Sequence, residues 1–187
     1  ANKIFNLLFL SLFFLVLVIE IFTPIFVSLI APGFVQDSKK IELAVSLTRI
    51  TFPFLFFVSL SSFFAAILNS NNKFAAGAAA PIILNIFLII SLFVSYLLNL
   101  EVVTNLSYAV TLAGLFQLLF LIYFSKKIYY PSIKFKISIN SKVKFFLKKL
   151  LPSIFSSGIT QINIFIGTII ASFEAGAVSY LYYADRI

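Results

Sequence analysis

The chain has 187 residues, of which 61% are hydrophobic and 11% charged. Soluble domains are roughly half apolar and about a quarter charged, so a water-soluble globular domain and a disordered chain are both excluded, and a mean hydropathy of +1.11 leaves the lipid bilayer as the solvent that fits. The net charge of +8 comes with no histidine and no cysteine, which removes thiol nucleophiles, imidazole acid–base chemistry, disulfides and the usual zinc and iron sites, and the sequence reads as a non-enzyme.

A helix needs about 20 mostly apolar residues to cross the hydrocarbon layer. The first such stretch covers about 4–30 and is interrupted by Glu20 and Pro24. Ala31-Pro32-Gly33 is a turn signal, and Asp37 to Glu42 is a mixed-charge start for the next helix. The second span covers about 43–69, with Arg49 near one end and Pro53 inside it. After the polar turn Asn69 to Lys73, the third span covers about 74–98. It opens on the small residues Ala75 to Ala80, which let a neighbouring helix approach closely, and it contains Pro81. The fourth covers about 104–124, and the fifth about 151–173, opening at Pro152 and closed by Glu174-Ala175-Gly176. A sixth begins near Ala177 and is truncated. These runs are continuous and about twice the length of alternating barrel strands, so they are helices. The expected fold is an all-α integral membrane protein, a polytopic helix bundle. The absence of an initial methionine and the end at Ile187, directly after a charged pair, lead us to expect a piece of a longer chain.

Segment 126–150 carries eight lysines. Such clustering beside apolar spans marks a cytoplasmic membrane face rather than a nucleic-acid interface. Counting back through the spans puts Lys73 inside and Glu101 and Glu174 outside. Within the segment, Ile133, Phe135, Ile137 and Ile139 alternate with polar residues, the pattern of an extended stretch. Ser141 then caps a short basic amphipathic helix, Lys142 to Leu150. A plain positive-inside loop is the alternative for both parts.

Charges inside spans are costly unless they face water, a partner or a ligand. Glu20 either lines a cavity or snorkels to an interface, and Arg49 is either an interfacial anchor or a binding residue. Asp185 and Arg186 follow Tyr180, Tyr182 and Tyr183 in the sixth span. Adjacent helical residues point about 100° apart, so each of the two must find its own partner. The planar fork of arginine suits a phosphate, which makes Arg186 a candidate for an anionic lipid headgroup, with Asp185 orienting it.

The blocks Ala65-Ala66-Ile67-Leu68-Asn69, Lys73-Phe74, Ala80-Pro81-Ile82-Ile83-Leu84-Asn85 and Ser179-Tyr180-Leu181-Tyr182-Tyr183-Ala184-Asp185-Arg186 stand in an order that resembles the MurJ (MviN) family of lipid II flippases. Ala31-Pro32-Gly33-Phe34 and Ile50-Thr51-Phe52-Pro53 resemble it too. The resemblance implies part of a MATE-like two-lobe transporter fold, covering roughly the third to the start of the eighth helix. Residues 1–125 would then belong to the N-terminal lobe, 126–150 to a basic cytoplasmic inter-lobe linker, and 151–187 to the C-terminal lobe. It implies a protein of the bacterial inner membrane that moves undecaprenyl-diphosphate-linked disaccharide-peptide to the outer leaflet by alternating access. Arg186 and Asp185 are the implied substrate-binding residues, with Arg49 a further basic position. The implied partners are lipid II, membrane lipids and the cell-wall synthesis machinery, with no nucleic acid. A monomer is implied, without a cofactor, with coupling to an ion or the membrane potential left open. A related polysaccharide-lipid flippase, a multidrug exporter and a non-transporting scaffold are the competing readings.

Overall fold

The computed structural model of the chain describes residues 2–132 and 141–185. The alternating stretch Ile133–Ile139 and Arg186 lie outside the described residues. Eight α-helices follow in order: α1 (Asn2–Ile21), α2 (Thr23–Ile30), α3 (Ser38–Thr51), α4 (Pro53–Ser70), α5 (Phe74–Leu98), α6 (Val102–Ser125), α7 (Ser141–Ala171) and α8 (Ala177–Ala184). A 3-10 turn, Pro32–Gln36, joins α2 to α3. Helices α1, α5, α6 and α7, and α3 with α4 as one 33-residue stretch, are long and apolar enough to cross a membrane. The chain is a multi-pass membrane protein.

The prolines decide where spans break. Pro24 ends α1 and stands in the first turn of α2, where a missing N–H costs nothing. Pro53 does the same between α3 and α4, although Phe52 keeps helical dihedrals there. Pro81 and Pro152 instead sit inside unbroken helices. The basic helix expected over Lys142 to Leu150 is therefore not separate. It is the first part of the single 31-residue helix α7, which runs through Pro152.

The helices fall into two compact units. One holds residues up to 20 and those from 47 to the end of α6 and beyond; the other holds 21–46 with α7 and α8. In the first unit, Phe5, Leu60, Phe64, Leu68, Ala80, Leu118 and Leu121 form the buried core. Phe5 meets Phe63, Phe64 and Tyr129 ring to ring, at centroid separations of 5.4, 5.7 and 6.4 Å. The start of α1, the end of α4 and the segment after α6 therefore lie at the same end. Burial among these rings pushes the Tyr129 phenol above its ordinary range, so it stays neutral.

Close approach in this unit depends on small residues. A Cβ on Gly114 would come within 2.6 Å of the Phe54 ring, so α6 lies against α4 only with glycine there. At Gly77 the fit is looser: a Cβ there would make ordinary contact, 3.5 Å, with Ala65 Cβ and Asn69 Oδ1 of α4, so the small-residue opening of α5 lies against α4. Polar side chains tie the same helices. Asn105 of α6 donates to the Ser91 carbonyl (3.2 Å) and to Ser95 Oγ (2.7 Å) of α5.

In the second unit, Asp37 Oδ1 accepts the N–H groups of Lys39 and Lys40 and so caps α3. The 3-10 turn reaches α7 across 139 residues of sequence: the Gly33 N–H donates to Ser172 Oγ at 3.0 Å. A Cβ on Gly33 would stand 2.2 Å from the Ser172 carbonyl oxygen, so no other residue fits this contact unmoved. Gly167 gives α8 its approach, with Leu181 Cδ2 3.3 Å from where a Cβ would be.

Replacing Asn105 with alanine removes both α5–α6 hydrogen bonds. We expect a loss of about 1 kcal/mol, the usual worth of an interhelical bond in a membrane. Thermal unfolding of the purified full-length protein measures it, and an unchanged midpoint would refute the role of Asn105.

Candidate functional site

Two of the charged residues that fall inside spans, Glu20 and Arg49, each precede a proline by four positions. A helical carbonyl normally accepts the N–H four residues later. Pro24 and Pro53 have none to give, so the carbonyls of Glu20 and Arg49 lose their usual partners. Within a membrane such carbonyls are served by neighbouring hydroxyls, water or local adjustment of the helix. Next to the Arg49 carbonyl at the α3–α4 break, the Thr111 hydroxyl of α6 donates to the Ile50 carbonyl. Phe52 keeps its own bond, donating to the Thr48 carbonyl at 2.7 Å.

Both charges belong to the first unit. Glu20 is half-buried in the last turn of α1, with its Oε1 atom shielded from solvent. Arg49 is exposed in the last turn of α3 and lies within Coulombic range of the Glu20 carboxylate. Sequence reasoning weighed these residues separately. Their common spacing from a proline was the available sign that they belong to one polar zone. It also missed Thr111, an isolated hydroxyl whose partner lies 61 residues away.

Asp185 caps the end of α8, donating its N–H to the Leu181 carbonyl at 3.1 Å, with its side chain exposed. It belongs to the second unit and Arg49 to the first. Arg186, the other residue expected to bind substrate, lies outside the described residues. In the second unit, α2 and α7 border a cavity of about 490 Å³. Gln161 and Thr168 are the polar side chains in its otherwise apolar lining of Ile30, Ile162, Ile164 and Phe165. Among the described residues no group of three carboxylates could hold a metal ion.

The chain matches the model of the family described as "Lipid II flippase MurJ" over residues 1–187. It is 41% identical to the "Probable lipid II flippase MurJ" of Rickettsia prowazekii (strain Madrid E), over 100% of this chain and 37% of that protein. It is 36% identical to the protein of the same name from Rhizobium tropici, over 100% of this chain and 36% of that protein. It is 35% identical to the "Lipid II flippase MurJ" of Burkholderia cenocepacia, over 84% of this chain and 32% of that protein. The chain thus spans about a third of the length of these relatives.

The Glu20–Arg49 pairing predicts a non-additive mutant pair. Arg49→Gln strips the countercharge from a half-buried carboxylate and is expected to cost about 1 kcal/mol, discounted because the arginine is exposed. The double variant Glu20→Gln/Arg49→Gln is expected to recover most of that loss. Melting of the full-length protein in detergent reads both, and strictly additive losses would dissolve the pair.

Proposed function

We propose a lipid-flipping role for this chain, which belongs to the MurJ (lipid II flippase) family. In this reading it forms part of a transporter in the bacterial inner membrane. The transporter carries undecaprenyl-diphosphate-linked disaccharide-peptide from the inner to the outer leaflet. The observation that carries the reading is the family match over the whole of the chain, from 1 to 187.

The chemistry of the cargo explains why charges are kept inside such apolar spans. A diphosphate and a sugar–peptide group must cross while the polyprenyl tail stays in hydrocarbon. That requires fixed cations in a wet cavity, and arginine supplies one that stays charged and presents two parallel donors. Arg186 is assigned that role, Asp185 the role of orienting it, and Arg49 a supporting one. Their cost in the membrane is offset only when water or the cargo faces them.

The finer architecture is a two-lobe, MATE-like fold, with residues 1–125 in the first lobe, 126–150 as the cytoplasmic linker and 151–187 opening the second. Alternating access then requires contacts that close one side while the other is open. The Gly33–Ser172 hydrogen bond suits that task, since it ties the turn after the first span to the outer end of the fifth. Both segments fall on the outer side by the lysine-inside orientation, so the bond would hold the outer side shut.

In the full-length protein, Arg186→Ala is expected to abolish growth of a strain depleted of its own flippase, while Lys148→Ala supports it. Normal growth of the Arg186 variant at matched expression would overturn the assignment of that residue. Gly33→Ala forces the 3-10 turn off Ser172. It is expected to raise labelling of a single cysteine at position 161 by a membrane-impermeant thiol reagent added from outside. Labelling unchanged from the Gly33 parent would remove the bond from the gating scheme.

A further inference from the structure

The ends of α4 and α6 and the start of α5 enclose a cavity of about 580 Å³. That volume is within the range of small-molecule sites. It is graded from polar to apolar. Asn72 and Lys73 form one edge, Ala75, Ala76 and Ala79 of α5 line its floor, and Phe120 and Phe124 of α6 form a wall.

The polar edge is held rigidly. The Lys73 N–H donates to the Leu68 carbonyl at 2.9 Å and the Asn72 N–H to the Asn69 carbonyl at 3.0 Å. Asn72 adopts φ 58°, the left-handed conformation that closes a helix in this two-bond pattern. Lys73 therefore passes from the end of α4 to the start of α5 with no slack. The wall ends in a second cation: the Phe120 and Phe124 rings meet tilted at 4.7 Å, Phe124 meets Tyr123 at 5.4 Å, and Lys126 Nζ lies 4.0 Å from the Tyr123 ring centroid. Tyrosine and lysine at a helix end mark the headgroup level of a membrane.

Charge then specifies the occupant. Lys73 makes no ion pair with any described residue. The unit's carboxylates are Glu20 and Glu101, and both stand at the opposite ends of their helices from this cavity. Glu101 is separated from Ser125 by the length of α6, about 35 Å at 1.5 Å per residue. That is several Debye lengths at physiological salt, so neither carboxylate neutralises this end. An ammonium at headgroup depth, beside an apolar trough, needs an anion that carries its own hydrocarbon.

We propose that this cavity binds one anionic phospholipid of the adjoining leaflet, its phosphate on Lys73 and an acyl chain along Ala75, Ala79 and the Phe120–Phe124 wall. The lipid is bound as a structural partner, separate from any transported cargo, and the assignment does not depend on flipping activity. It accounts for a lysine held at a helix junction away from both carboxylates of its own unit.

Native mass spectrometry of the purified full-length protein, titrated with phosphatidylglycerol, tests this. Two variants attack different halves of the site. Lys73→Gln removes the charge and leaves the trough; Ala75→Phe fills the trough at an exposed position and leaves the charge. Each is expected to weaken the tightest phosphatidylglycerol by about fivefold, the effect of one lysine near an anionic surface. Lys39→Gln, an exposed lysine of α3, is expected to change nothing. Phosphatidylethanolamine is expected to bind more weakly, and millimolar inorganic phosphate to displace no lipid. Equal binding by the Lys73 and Lys39 variants, or equal binding of the two lipids, would overturn the proposal. Displacement by phosphate would also overturn it, since that makes the site one for a soluble anion. Helical circular dichroism and a single elution peak establish that each variant is folded. If Ala75→Phe fails them, Lys73→Gln alone decides.

Discussion

A charge in the hydrocarbon of a bilayer costs several kcal/mol unless water, a countercharge or a ligand meets it. That cost organises this molecule. Fourteen bases and six acids are distributed so that helices α5 and α6 carry none along their whole lengths. The charges that do enter spans gather where the backbone is already polar. Glu20 and Arg49 sit at carbonyls that a proline four residues on has deprived of a donor, and they lie within reach of each other. A break in a helix and a buried charge are each expensive alone. Placed together they share one pocket of polarity, and the Thr111 hydroxyl serves the same zone from α6.

The four spanning prolines show how context overrides a local rule. Each lacks the same N–H, yet two of them start new helices and two lie inside continuous ones. At Pro81 the deprived carbonyl belongs to Gly77, where α5 lies beside Ala65 and Asn69 of α4, and the helix continues unbroken. At Pro24 the following Thr23–Ile30 segment is short and turns at once into the 3-10 segment held by Ser172.

Much of the fold was legible because hydrocarbon thickness and charge spacing act through sequence distance alone. The third span, expected over 74–98, is the helix Phe74–Leu98, because Lys73 and Asn99 bound an apolar run of the length a bilayer demands. The start of the fifth span was not legible. The lysines from 142 to 149 read as a separate surface helix, whereas helical hydrogen bonding continues through Pro152 into the apolar part of α7. For the site, individual residues could be singled out by their cost in lipid, but not their neighbours. That Arg49 answers Glu20, or that Ser172 receives the Gly33 amide, depends on separations of 29 and 139 residues, which no periodicity encodes.

The two units are therefore held by different physical contacts. Where Phe5, Phe64 and Tyr129 meet, aromatic packing locks α1, α4 and the segment after α6 into one unit. In the second unit the Gly33 amide is tied to Ser172 by a hydrogen bond with no room for a side chain. One hydrogen bond contributes about 1 kcal/mol, small against the burial of several aromatic rings. The aromatic cluster therefore contributes far more to holding its unit together than this one hydrogen bond contributes in the other.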